Sequence, residues 1–315
     1  MLSMIVEENK RKVFLDTFGT QVNNEVIFYF RRERGEEYTA IKNFVLSQKD
    51  KEVQTQIQYF CKIIGQCMSS FHSLHDSYNE YGEFTITDYD GMLENQILSK
   101  ANRLCNTFLD SGKGFVDYIQ KDWGPKNLSE NNLRLWNEER KKYFDNCLSY
   151  RVCYYLRNFV EHPGNRTIFI NTVINSNKEP FLDLRIDSDN IFSDRGYAKS
   201  FINKTGRGED YWKKDENLFI NQYLPKYMIA LINLYRSAMS HYFFENKQKI
   251  QKIIDYCKVG PLSSEYWFTT INHDDFMKSG KLPVHTNMKQ GTNICMLDNL
   301  LIELKEEHII KVKQG

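Results

Sequence analysis

Five residues in segment 150–164 have types that chemistry uses: Arg151, Tyr155, Arg157, Asn158 and His162. At 100° per residue, Arg151, Tyr155, Asn158 and His162 fall within a ~60° sector of a helix otherwise made largely of Tyr, Phe, Leu and Val. Unpaired Arg, Asn and His among aromatic rings would cost on the order of several kcal/mol, so this polar file either faces a partner or lines a site. Arg157 points ~140° away from His162, and only its long side chain or a second subunit would bring the two together. A plainer reading stands beside this one. His162 at a helix C-terminus meets the negative end of the helix dipole, and Arg157 can pair with any carboxylate.

Other chemistries fail on spacing. Lys113 lies in Gly-Lys-Gly, without the spacing or the Ser/Thr of a phosphate-cradling loop, and no dinucleotide fingerprint is present. Asp187-Ser188-Asp189 opens like a calcium loop, but Phe192 stands where Gly is needed and Ala198 where Glu is needed. His72 and His75 beside Asp76 share a helix face without a third ligand. No metal and no cofactor is expected.

The elements that must position the file are helices. Leu93, Ile97, Ala101, Leu104, Phe108, Phe115 and Ile119 recur at spacings of 3, 4 and 7, which predicts a helix over 93–119, interrupted by Gly112 and Gly114 at roughly 1 kcal/mol each. Ser129 is a good N-cap for a helix over 129–162 that carries the file and stops at Pro163-Gly164. A third helix covers 224–257, with Pro225 marking its first turn or a kink. These are expected to be the three longest. Segments 167–174 and 181–186 suit a small hairpin, 187–215 reads as a loop, and the tail from Pro261 reads as irregular until an amphipathic stretch over 296–312. Residues 1–91 read as helical pieces between charged blocks. The fold class is therefore an all-α, mostly helical bundle with a small β-hairpin insertion, divided as 1–92, 93–260 and 261–315.

Composition agrees with a helical protein. The 315 residues include only 16 Gly and 6 Pro, too few for a turn-dense sandwich or a collagen, while 14% aromatics can offset the entropy of ordering the chain. Lys and Arg total 42 against 41 Asp and Glu, a net charge of +1, so a polynucleotide partner would need a local basic patch. Seven cysteines without a Cys-x-x-Cys pair suggest reduced thiols and a cytoplasmic location. No secretory leader or membrane span is expected, because the richest apolar run, 227–235, is far short of ~20 residues.

Arg157-Asn158-x-x-x-His162, on a Tyr- and Arg-bearing helix followed at once by a turn, resembles the Arg-x4-6-His signature of HEPN domains, all-α modules of prokaryotic antiphage and toxin systems. Residues 102–111 followed by Phe115-Val116-Asp117 are similar to the helix that precedes the motif helix in the larger abortive-infection-like members. The resemblance covers roughly 93–257. It departs from one variant whose toxins carry Tyr two residues after the His, where this chain has Gly164.

The resemblance implies a metal-independent endoribonuclease, in which the 2′-hydroxyl of RNA attacks the adjacent phosphate and leaves a 2′,3′-cyclic phosphate. His162 would move protons near neutral pH, Arg157 would hold the scissile phosphate, and Asn158 would orient either group. Arg151 would bind a neighbouring phosphate or act structurally, and Tyr155, with Lys204 and Arg207 at the 205–208 loop, would bind substrate. It further implies a homodimer with both His162 residues in one shared cleft, RNA as the partner, an antitoxin or regulatory protein as a further one, and a role as a toxin-like effector in antiphage defence. A catalytically silent RNA-binding or interaction module, or a helical subunit whose file fixes an interface, remain the alternatives.

Overall fold

The computed structural model describes residues 5–32, 38–42, 44–85, 94–160, 167–176, 179–258, 262–263, 266–282, 289–290 and 292–306. In chain order the elements begin with α1 (Arg11–Phe18), β1 (Gly19–Val22), β2 (Glu25–Arg32), β3 (Tyr38–Ala40), α2 (Gln48–Thr85) and α3 (Glu94–Tyr118). A π-helical turn, Ile119–Trp123, then leads into α4 (Gly124–Asn127), α5 (Glu130–Asn146), α6 (Leu148–Val160) and the strands β4 (Ile168–Ser176) and β5 (Glu179–Ile186). The chain continues through α7 (Ser188–Ser193), α8 (Arg195–Thr205), α9 (Glu209–Trp212), α10 (Leu224–Cys257), β6 (Tyr266–Asn272), α11 (His273–Ser279), β7 (Lys289–Gln290) and α12 (Thr292–Glu306). The protein is mostly helical and forms two compact units, one from residues 66–244 and one from 1–65 with 245–315. Their boundaries fall inside α2 and α10.

In the 66–244 unit, α3 forms where its periodicity places it, and Ile97, Ala101, Leu104, Phe108, Phe115 and Ile119 are all buried. Gly112 is a contact point rather than a mere interruption. A Cβ there would lie 2.8 Å from the Tyr227 hydroxyl and 3.0 Å from Leu231, so glycine lets α3 lie close against α10. Phe71 stacks on Tyr235 at 4.1 Å between ring centroids, and the Trp136 indole N–H donates to the Leu234 carbonyl at 2.9 Å. The expected hairpin is present as β4 paired antiparallel with β5. Its base is tied to α3: Asn102 Nδ2 donates to the Ile168 carbonyl at 2.9 Å, and its Oδ1 accepts from the Thr167 and Ile168 amides, each at 3.2 Å.

Three helix expectations need correction. The segment 129–162 is two helices: Ser129 does cap α5, accepting from the Asn132 amide, but Cys147 adopts φ −108°, ψ 107° and separates α5 from α6. The supposed loop 187–215 holds α7, α8 and α9, because Asp187 and Asp194 act as N-caps. The Asp187 carboxylate accepts from the Asn190 amide, and that of Asp194 from the Gly196 and Tyr197 amides. The longest helix is α2, not one of the three expected, and it starts at a reciprocal cap: the Ser47 amide and hydroxyl donate to the Asp50 carboxylate while the Asp50 amide donates to the Ser47 hydroxyl.

The other unit contains a sheet that the sequence reading did not foresee. Strands run β1-β2-β6-β7, all antiparallel, with β3 also paired to β2, so residues 1–91 are not wholly helical and the tail is ordered well before Met296. Along β2, Val26, Phe28 and Phe30 alternate inward and pack with Leu15, Phe276 and Leu282. Gly280 closes α11 at φ +60°, and a Cβ there would sit 2.3 Å from the Val6 carbonyl oxygen. Arg11 crosses to the same place, its Nη1 donating to the Met277 and Lys278 carbonyls at 2.6 Å each.

Candidate functional site

The break at Cys147 explains what α6 does with Arg151. A helix ends with carbonyls that lack intrahelical donors and with the negative pole of its dipole. The Arg151 guanidinium answers both at the end of α5, its Nη1 donating to the Phe144 carbonyl at 3.0 Å and to that of Asp145. Its Nη2 donates to the Thr205 carbonyl at 3.3 Å, at the end of α8 just before the left-handed cap Gly206. One side chain thus gathers two helix ends. With those donors committed to the backbone, Arg151 is a framework residue in this structure rather than an open substrate ligand.

Tyr155, one turn on, is buried, and its ring meets Phe144 and Tyr154 edge to face. Its carbonyl accepts the hydroxyl of Tyr197 from α8, and burial raises the pKa of both phenols. Lys204 and Arg207 are exposed on either side of Gly206, beside the Thr205 carbonyl that Arg151 holds. Arg207 lies over the Tyr211 ring at 5.1 Å. The file therefore does not run unpaired through an apolar core: its first two members are built into packing between α5, α6 and α8.

The C-terminal end of α6 differs. Arg157 Nε donates to Asp110 Oδ1 at 2.8 Å, and the two side chains are 21% and 56% exposed. Asn158 beside it is half-buried. Asp110 belongs to a second polar file: Asn102, Asn106 and Asp110 recur every four residues along α3, so they share one face. Asn102 and Asn106 hold Thr167, the latter through a 2.5 Å contact with its hydroxyl, and Asp110 holds Arg157. His162 lies outside the described residues. The residues on both sides of its segment are anchored to α3, at Arg157 before it and at Thr167 after it.

No family model, curated protein or solved structure matches the chain. An arginine on a largely exposed carboxylate is an anion position already in use, and a phosphate presents the same charge and a matching oxygen geometry to a guanidinium fork. Sequence reasoning singled out Arg157 and Asn158 but not Asp110, Asn102 and Asn106; three polar residues at four-residue intervals, next to an otherwise apolar stripe, were the signal.

Elsewhere, His75 Nδ1 is shared with Asn79 Nδ2 at 3.0 Å, and among the described residues no group of three His, Cys, Asp or Glu side chains comes together. The described cysteines are free thiols, and burial pushes Cys105 up to about 12. No described helix is long and apolar enough to cross a membrane.

Proposed function

We propose that the chain is a metal-independent endoribonuclease of the HEPN type and an effector of antiphage defence. Arg157 would exchange Asp110 for the scissile phosphate of an RNA strand and hold the charge that grows on its oxygens in the transition state. His162 would take the proton from the 2′-hydroxyl or deliver one to the departing 5′-oxygen. The 2′-oxygen forms the new bond to phosphorus, the P–O5′ bond breaks, and a 2′,3′-cyclic phosphate and a 5′-hydroxyl result. Asn158 would orient one of the two groups, and Lys204 and Arg207 would hold flanking phosphates. A homodimer would supply two copies of the motif to one cleft, and an antitoxin or regulatory protein would restrain it until infection.

The observation that carries this reading is the Arg157–Asp110 pair, which sits where α6 ends, five residues before His162, and is accessible to a competing anion. The same pair also favours a second reading, in which Asp110 permanently neutralises Arg157 and the domain binds RNA or a protein without cutting. An RNA oligonucleotide with one cleaved position changed to 2′-deoxy separates them. Loss of cutting at that linkage alone, unchanged by EDTA, is the expected result. Cutting that continues there, or that needs added Mg²⁺, defeats the proposed chemistry, and the absence of cutting anywhere hands the site to the second reading.

A further inference from the structure

The face of α6 that carries Arg157 continues through Tyr154 and Tyr150 into a cleft of about 640 Å³, bounded also by α3, α5 and α10 and within the range of small-molecule sites. Its wall is aromatic. Phe144 meets Tyr154 at 5.6 Å with rings perpendicular, and Tyr150 meets Tyr227 at 5.2 Å. Four cations line it as well, and they are not equivalent. Lys113 is held by Asp117 at 2.6 Å and Arg134 by Glu138 at 2.5 Å, whereas Arg140 and Lys141 form no ion pair with any described residue.

Two polar atoms in this lining are buried without a hydrogen-bond partner: Arg140 Nε and Asn137 Oδ1. Asn137 Nδ2 donates to the Leu133 carbonyl at 3.0 Å, which fixes the amide with Oδ1 as the unmet acceptor. Native proteins rarely leave such groups unmet, and a guanidinium donor and an amide acceptor on one helix, three residues apart, ask for an acceptor and a donor on one ligand. Burial pushes the Tyr150 hydroxyl up to about 12 while Arg140 pulls it the other way, which places the guanidinium charge on the aromatic wall.

We propose that this cleft binds a small organic anion built on a flat ring that bears an N–H. Its anionic group sits on Arg140 and Lys141, its ring lies against Tyr150 and Tyr154, and its N–H donates to Asn137 Oδ1. Nucleoside monophosphates and ring-bearing aromatic carboxylates share this chemistry. Binding here does not require RNA cleavage, since Arg140, Lys141 and Asn137, which would hold the anion and its N–H, are not among the residues proposed to act on RNA.

Calorimetric titration of the full chain with a panel of nucleoside monophosphates, an aminobenzoate and indole carboxylate panel, and inorganic phosphate tests it. The expected result is saturable binding of one ligand per chain in at least one ring-bearing arm, at least ~10-fold tighter than inorganic phosphate. Which arm binds then identifies the source. Arg140→Met and Asn137→Leu should each weaken it ~10-fold or more, and Lys126→Ala should leave it unchanged. Arg140→Met loses an unsatisfied donor, so its melting temperature should equal or exceed that of the parent, and Arg140→Gln provides a second variant if it does not fold. No saturable binding in either ring-bearing arm, inorganic phosphate binding as tightly as any ring compound, or full affinity in the folded arginine variants would overturn the proposal.

Discussion

Arg151 and Arg157 lie on one helix, six residues apart, and the structure uses them in opposite ways. Arg151 donates to three backbone carbonyls from two helix ends, whereas Arg157 Nε donates to the Asp110 side-chain carboxylate, which is mostly in solvent. Backbone acceptors cannot titrate, swing away or be replaced by a dissolved anion without unravelling a helix end. A surface carboxylate can do all three at a cost of about 1 kcal/mol or less. The arginine committed to the backbone organises the fold, and the one on a carboxylate holds a partner that can exchange. Arg11 in the other unit repeats the first pattern on the end of α11, so the distinction is not peculiar to α6.

The largest test of the comparison is catalytic. Arg157→Ala and His162→Ala should each lower the rate of RNA cleavage on the order of 10²- to 10⁴-fold while leaving the circular dichroism unchanged. Wild-type cleavage by either variant removes the functional half of the comparison. Next comes stability: Arg151→Ala should cost about 2 kcal/mol in urea unfolding, since carbonyls at two helix ends lose their donor, against less than ~1 kcal/mol for Arg157→Ala. Equal losses would mean that the two arginines are equivalent after all.

Smaller effects probe what holds Asp110 in place. Gly112→Leu should destabilise by about 1–3 kcal/mol, because the added side chain meets Tyr227 and Leu231 where α3 approaches α10. Gly114→Ala, two residues on, exposed and with nothing within 4 Å of its Cβ, should stabilise by up to about 1 kcal/mol. The smallest effect is expected from Asp110→Asn. Freed of its carboxylate, Arg157 should bind RNA roughly threefold more tightly at low salt, with the salt slope steeper by about 0.7 in a fluorescence titration. Unchanged affinity would place the nucleic acid elsewhere.

Much of the helical framework is written in local spacing. The α3 stripe and the limits of α10 follow from apolar periodicity alone. The longest helix was equally legible: Val53, Ile57, Phe60, Ile64, Cys67, Phe71, Leu74 and Tyr81 are buried at helical intervals, and Ser47 with Asp50 spells its start. The single aspartates that cap α7 and α8 are weak signals inside a polar stretch, which is why 187–215 read as a loop. Two features had no local signature. The role of Arg151 depends on carbonyls, which every residue type carries, and on a break at Cys147 that leaves the apolar periodicity nearly continuous. The five-stranded sheet depends on pairing β2 with β6, and nothing near residue 25 announces a partner near residue 272.

That pairing also sets a timetable for synthesis. Residues 25–31 meet 266–272, so one whole edge of β2 waits for roughly 240 residues of further translation, which at about 5–20 residues per second is on the order of ten seconds to most of a minute. β1 and β3 can pair with β2 as soon as they emerge, and the whole of residues 66–244 is complete before β6 leaves the ribosome. During that interval the nascent chain carries an open strand edge with Val26, Phe28 and Phe30 beside it, the kind of surface that chaperones hold and that neighbouring chains on a polysome can capture. A ribosome stalled before Tyr266 would therefore release a chain with its Arg157 surface fully encoded and its N-terminal strands still unpaired along one edge.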